Sequence, residues 1–171
     1  MRTLLSYAFA LAIFATLLFG STPAQAFQGE DDGCKAVNGT AYSYTTGPTS
    51  AAETIYFTVG NKERIADSTI NFSLVPRLDG SLGVVATHFL IVYDANTGAF
   101  LGTISTKDEG TLTPTTTPGV FYLDLDLTIV AGTDKFKNTT GTMHAEGYLD
   151  FRTNPPSGVT TVTGTVCNIE D

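Results

Sequence analysis

Between Val120 and Gly141 the chain reads VFYLDLDLTIVAGTDKFKNTTG, alternating apolar and polar residues before it breaks into a glycine-framed turn. Phe121, Leu123, Leu125, Leu127 and Ile129 fall on one side of a period-2 strand, with Tyr122, Asp124, Asp126 and Thr128 on the other. A face of leucines must be covered, and a face with two aspartates must meet water or a partner. The segment therefore predicts a half-buried antiparallel strand.

Similar runs recur along the chain. KAVNGTAYSYTT (35–46), ETIYFTVG (53–60) and STINFSLV (68–75) are rich in β-formers, the second placing Ile55, Phe57 and Val59 on one face and the third Ile70, Phe72 and Leu74. LGVVATHFLIVYD (82–94) is apolar on both faces, so cover is expected on both sides, the second supplied by a subunit contact. AFLGTIST, GTMHAEGYLDF (141–151) and GVTTVTGTVC (158–167) complete the strands, with TLTPT as a short edge piece. Turn chemistry separates them at Gly60-Asn61-Lys62, Leu78-Asp79-Gly80, Asn96-Thr97-Gly98, Lys107-Asp108-Glu109-Gly110, Pro118-Gly119 and Asn154-Pro155-Pro156. The region near Asn61 to Asp67 offers at most a helical turn. The expectation is an all-β domain of eight or nine strands, a sandwich or a barrel.

The first residues read as an address. Arg2 is a minimal positive segment, Leu4 to Phe19 carry no charge, and Pro23-Ala24-Gln25-Ala26 ends in the small-x-small pattern of a cleaved signal peptide. Cleavage after Ala26 leaves a single domain, 27–171, in a secreted or periplasmic protein; an uncleaved anchor is the alternative. Loss of Arg2 leaves eight basic against seventeen acidic residues, a net charge of −9. Scattered basic residues and that charge argue against nucleic acid and against anionic membrane surfaces as partners.

The two cysteines, Cys34 and Cys167, bracket the domain, and in an exported chain they favour a disulfide, with two buried thiols as the alternative. Neither has a Cys or His at ligand spacing, so no metal is expected. In an up-and-down barrel of eight strands the start of the first strand lies beside the end of the last, where these cysteines fall. A closed barrel is preferred, although a sandwich with paired terminal strands satisfies the same bridge.

The segment Ile129 to Gly141 resembles the signature of the dirigent and allene oxide cyclase-like barrel superfamily, in which a strand ends in a glycine-threonine-glycine turn followed by a phenylalanine and a glycine opening the next strand. Gly132, Thr133, Phe136 and Gly141 match; Ala131 and Asp134 stand at two of its glycines, and Asp tolerates left-handed geometry. The resemblance extends to 141–151, to Gly164-Thr165-Val166-Cys167 and more loosely to His88–Gly110. It implies an eight-stranded, calycin-like antiparallel barrel with an apolar cavity, often assembled into dimers or trimers. Family members include a cyclase, proteins that steer radical coupling and exported proteins without a known role, and no catalytic residue carries over.

Candidate chemistry rests on the residues themselves. Asp124 and Asp126 share a face with Tyr122, and His144, Glu146, Tyr148 and Asp150 share another; acid–base or cation-binding roles compete with the plainer reading of a solvated outer surface. If the two strands pair, these faces adjoin. His88 differs, lying in an apolar strand beside Ala86 and Leu90. If that face lines the lumen, His88 is the polar group that touches a ligand, with Phe121, Leu123 and Leu125 as apolar lining; a satisfied core histidine is the alternative. Asp94 to Gly98 begins like a calcium loop but lacks the closing glutamate, so a hairpin is expected. No cofactor motif appears. The resulting expectation is a small apolar ligand held without catalysis, against two alternatives: an isomerase- or cyclase-like enzyme, or an interaction protein with a filled barrel. A ligand barrel is expected to hold a cavity of at least about 300 Å³, a filled one none.

Overall fold

A computed structural model describes residues 33–170, so the expected signal peptide and its cleavage point lie outside the described residues. Eight strands follow one another: β1 (Cys34–Gly47), β2 (Ser50–Val59), β3 (Lys62–Pro76), β4 (Leu82–Asp94), β5 (Phe100–Pro114), β6 (Val120–Gly132), β7 (Thr140–Asp150) and β8 (Ser157–Cys167). Each pairs antiparallel with its sequence neighbour, and β8 returns to β1, closing the barrel. The fold is the eight-stranded antiparallel closed barrel expected from the chain. Closure leaves no strand edge to shield, which a two-layer sandwich would have.

The alternation of β6 sets its two faces. Leu125, Leu127 and Ile129 are buried in the interior, while Asp124, Asp126 and Thr128 are exposed outside. The same phase runs through Ile55 and Val59 of β2, Val84, Ala86, Leu90 and Val92 of β4, and Val162 and Val166 of β8, so one interior core is built from all round the barrel. Cys34 stands directly opposite Cys167 at the β1–β8 seam, and the two are disulfide-bonded.

Two expectations change. Asn61–Asp67 is no helical turn: the turn is confined to Gly60 and Asn61, and β3 begins at Lys62, with Ile65, Ala66 and Asp67 pairing with Tyr56, Ile55 and Thr54. Lys107-Asp108-Glu109-Gly110 is no turn either; it continues β5, which absorbs the TLTPT segment as well. Among the described residues the outer face of β4, the one assigned above to a subunit contact, is uncovered, Val85 being 52% and Phe89 46% exposed.

One end of the barrel is sealed by the β6–β7 connection. Thr133 is bound to Thr103 through both backbone and hydroxyl, a 3-10 turn runs Asp134–Phe136, and Phe136 drops into the interior. Asp134 takes φ of +51°, the left-handed geometry expected of an aspartate replacing glycine there. Gly132 has to be small, because a Cβ would strike the Phe136 carbonyl. The Asp94–Gly98 segment is a hairpin turn in which Asp94 Oδ1 accepts from the Asn96 and Thr97 amides and Oδ2 from Arg64 at 2.9 Å.

Candidate lumenal site

The inward faces of the strands enclose a cavity of about 130 Å³. Its walls are apolar for most of their area, with Ile55, Phe57, Leu90, Leu123, Leu125 and Leu127 among the lining residues. The Phe136 end is closed, with Val37, Val166 and Phe136 all nearly inaccessible. At the opposite end Tyr44 and Phe151 line the cavity while half-exposed to solvent, so the lumen opens there. The volume falls short of the about 300 Å³ expected of a ligand barrel, yet the interior is not filled. The inward Phe, Leu and Met side chains occupy most of the space that a larger guest would need.

His88 points into this lumen and does not stand alone. Its Nδ1 lies 2.8 Å from Asp108 Oδ2, and its Nε2 lies 3.3 Å from Glu53 Oε2. All three residues are buried: Asp108 is 1%, His88 6% and Glu53 8% exposed. Glu53 and His88 line the cavity, whereas Asp108 stands in the wall on the neighbouring strand, opposite Ala86 and so two residues along from His88. Burial works against a charge on the ring, but hydrogen bonds to Asp108 and Glu53 and the attraction of both carboxyls outweigh it, raising the His88 pKa from 6.5 to about 9. At neutral pH the imidazole is a cation held between two carboxyls, with Nδ1–H directed at Asp108 and Nε2 in ion-pair range of Glu53. The Thr106 hydroxyl accepts a long hydrogen bond from the His88 amide, and Asp108 Oδ1 has no partner among the described residues.

Of the residues named from the sequence, His88, Leu123 and Leu125 line the lumen together. Phe121 does not: it packs edge-on against Phe151, 5.3 Å between ring centroids, and Phe151 takes the lining position at the mouth. Glu53 and Asp108 were absent from that reading. Each carried a detectable signal, because Glu53 is in phase with Ile55, Phe57 and Val59, and Asp108 with Ile104, Thr106 and Leu112.

The second histidine faces outward. As the adjoining of faces required, β6 and β7 pair Asp126 with His144, Asp124 with Glu146 and Tyr122 with Tyr148. His144 Nδ1 lies 2.9 Å from Asp126, and the Tyr122 hydroxyl donates to Glu146 at 2.5 Å. This hydrogen bond, with burial and the nearby carboxylates, raises the Tyr122 pKa to about 12. Asp150, at the end of the same row, is held down at about 2 by its hydrogen bonds from Arg152. The row is a solvated acidic surface, and among the described residues no group of histidine, cysteine and carboxylate side chains is arranged to hold a metal ion. Among the same residues no helix is long and apolar enough to cross a membrane. Comparison with known proteins returns no matching family model, no matching curated protein and no matching solved structure.

Proposed function

We propose that this is an exported protein, secreted or periplasmic, whose barrel holds one small apolar molecule in its lumen. The observation that carries the reading is the open, apolar cavity of about 130 Å³ with Glu53 and His88 as its buried polar spot. An apolar protein cavity of about 150 Å³ takes up a benzene-sized guest, and a few fixed polar groups in an apolar wall are the usual means of orienting one. Export fits a disulfide that joins the two ends of the domain. It also fits an outer surface on which carboxylates and threonines interrupt exposed apolar side chains such as Val85, Phe89 and Val159, in place of the continuous apolar band of a bilayer-spanning barrel. The likeness of the Gly132-Thr133…Phe136…Gly141 turn to dirigent and allene oxide cyclase-like barrels supports the same architecture, and self-association into a dimer or trimer would cover Val85 and Phe89. A second reading, isomerase- or cyclase-like acid–base chemistry on an apolar substrate, is favoured by one observation, the Glu53–His88–Asp108 row at the lumen wall.

Native mass spectrometry of the purified protein, with and without added toluene, tests the reading. One bound molecule per barrel is expected, lost in Ala145→Leu, which pushes three carbons into the lumen. A barrel that retains nothing and takes up no toluene is a filled one, and the interaction-protein reading replaces this one.

A further inference from the structure

The lumen's polar spot has a polarity of its own. Nδ1 of His88 is hydrogen-bonded to Asp108 at 2.8 Å and Nε2 faces Glu53 at 3.3 Å in an ion pair, so the charge of the ring is met by two carboxyls before any guest arrives. Glu53 is different. Its Oε2 faces His88, its Oε1 takes no partner among the described residues, and the side chain lines the cavity. A carboxyl oxygen accepts hydrogen bonds, and a carboxylate is acceptor-only. The charge of the row points the same way, since two carboxyl groups flank one imidazole and Asp108 Oδ1 is a further buried acceptor without a donor. Within the walls nearest to Glu53, Ser43 stands directly across the β1–β2 ladder, and its hydroxyl adjusts to either role. Among the described residues neither lysine nor arginine lines the lumen, and the one cation there, His88, is already shared between two carboxyls.

Resting on the lumenal reading above, we infer that the cavity selects small apolar molecules that end in a hydrogen-bond donor, an amine or an alcohol seated on Glu53, and rejects those that end in a carboxylate. The amine is the better fit of the two, because a protonated amine both donates to Glu53 and offsets the row's surplus of carboxyl groups. A carboxylate of the same size brings only acceptors to the Glu53 acceptor oxygens and to a ring whose charge two carboxyls already meet. The apolar body of the guest lies along Leu123, Leu125 and Leu127, toward the Phe136 floor.

Four molecules of nearly one shape separate the possibilities: toluene, benzyl alcohol, benzylamine and benzoate. Binding to the purified protein is read by calorimetry at neutral pH. Hydrogen bonds to charged groups predict that benzylamine binds about ten- to a hundred-fold more tightly than toluene, with benzyl alcohol between them and benzoate weakest. Glu53→Gln, in a variant that still unfolds cooperatively, brings benzylamine down to the affinity of benzyl alcohol. Benzoate binding as tightly as benzyl alcohol, or an unchanged order in Glu53→Gln, overturns the inference. Uptake of toluene with no preference among the head groups overturns it while leaving the lumenal reading intact, whereas failure of all four overturns both. The ranking in the unaltered protein is decisive by itself should the variant not fold.

Discussion

The buried histidine gives the barrel a pH dependence whose sign and size follow from its neighbours. In the unfolded chain His88 titrates near 6.5; in the barrel it titrates at about 9, because two carboxyls hold its proton. A group whose pKa rises on folding adds stability that is present in full below its unfolded pKa and is lost as pH climbs through the folded one. The window therefore runs from 6.5 to about 9. At about 1.4 kcal/mol per unit, the whole shift corresponds to about 3 kcal/mol, a large share of the stability of a domain this size. Urea unfolding of the disulfide-bonded protein, followed by circular dichroism at pH steps from about 6 to about 10, should show a midpoint falling by about 1–2 M across that range. His144, the second histidine, is also raised, chiefly by Asp126, but it is 38% exposed and its partner 81%, so solvent screens most of its effect. The comparison that isolates His88 is the same titration on His88→Gln, in which the slope should vanish. A midpoint flat with pH in the unaltered protein, or an equal slope in His88→Gln, refutes the reasoning.

Removing the ring without its neighbours should be costly. His88→Ala leaves two buried carboxyls facing each other across a gap and is expected to lose about 3–5 kcal/mol, measurable as a drop in the urea midpoint at neutral pH. Cys34→Ser with Cys167→Ser opens a loop spanning 133 residues, for which chain entropy gives about 5 kcal/mol, checked by comparing thermal midpoints of the two proteins. Phe136→Ala unplugs the closed end; a loss of about 3–5 kcal/mol is expected together with uptake of guests larger than toluene, read by native mass spectrometry. Gly102→Ala should destabilise by about 1–3 kcal/mol, since its φ is +141° and the new Cβ would strike the Thr133 carbonyl that anchors the sealing turn.

Most of the architecture was legible because each strand is half buried, and half-burial writes itself as alternation. The terminal cysteines favoured closure over a sandwich with paired terminal strands. What escaped detection was masked by residue type. Lys107-Asp108-Glu109-Gly110 has the composition of a turn, and only the phase from Ile104 to Leu112 reveals that Asp108 faces inward. Gly110 is there because a Cβ would strike the Asp124 carbonyl on the adjoining strand, not because the chain reverses. Glu53 was hidden for a related reason: a carboxylate at the head of an apolar face looks like the solvated end of a strand, and nothing local announces that a histidine two strands away will neutralise it. Phe121 shows the limit in the other direction, since alternation assigns it to the interior but cannot say that a second phenylalanine, from the β7–β8 connection, packs edge-on against it and takes the lining position.

Every ladder in this barrel but one joins segments adjacent in the chain; β1 and β8 alone meet across its full length. Seven pairings can zip up locally, each at a modest entropic cost, while the eighth must wait until the last eleven-residue strand is in hand. Until that moment the molecule is a curled ribbon with two raw margins and an unroofed apolar hollow, the state in which stray pairing with another chain is most dangerous. Placing the covalent clasp at this seam locks the one junction that local sequence does least to hold.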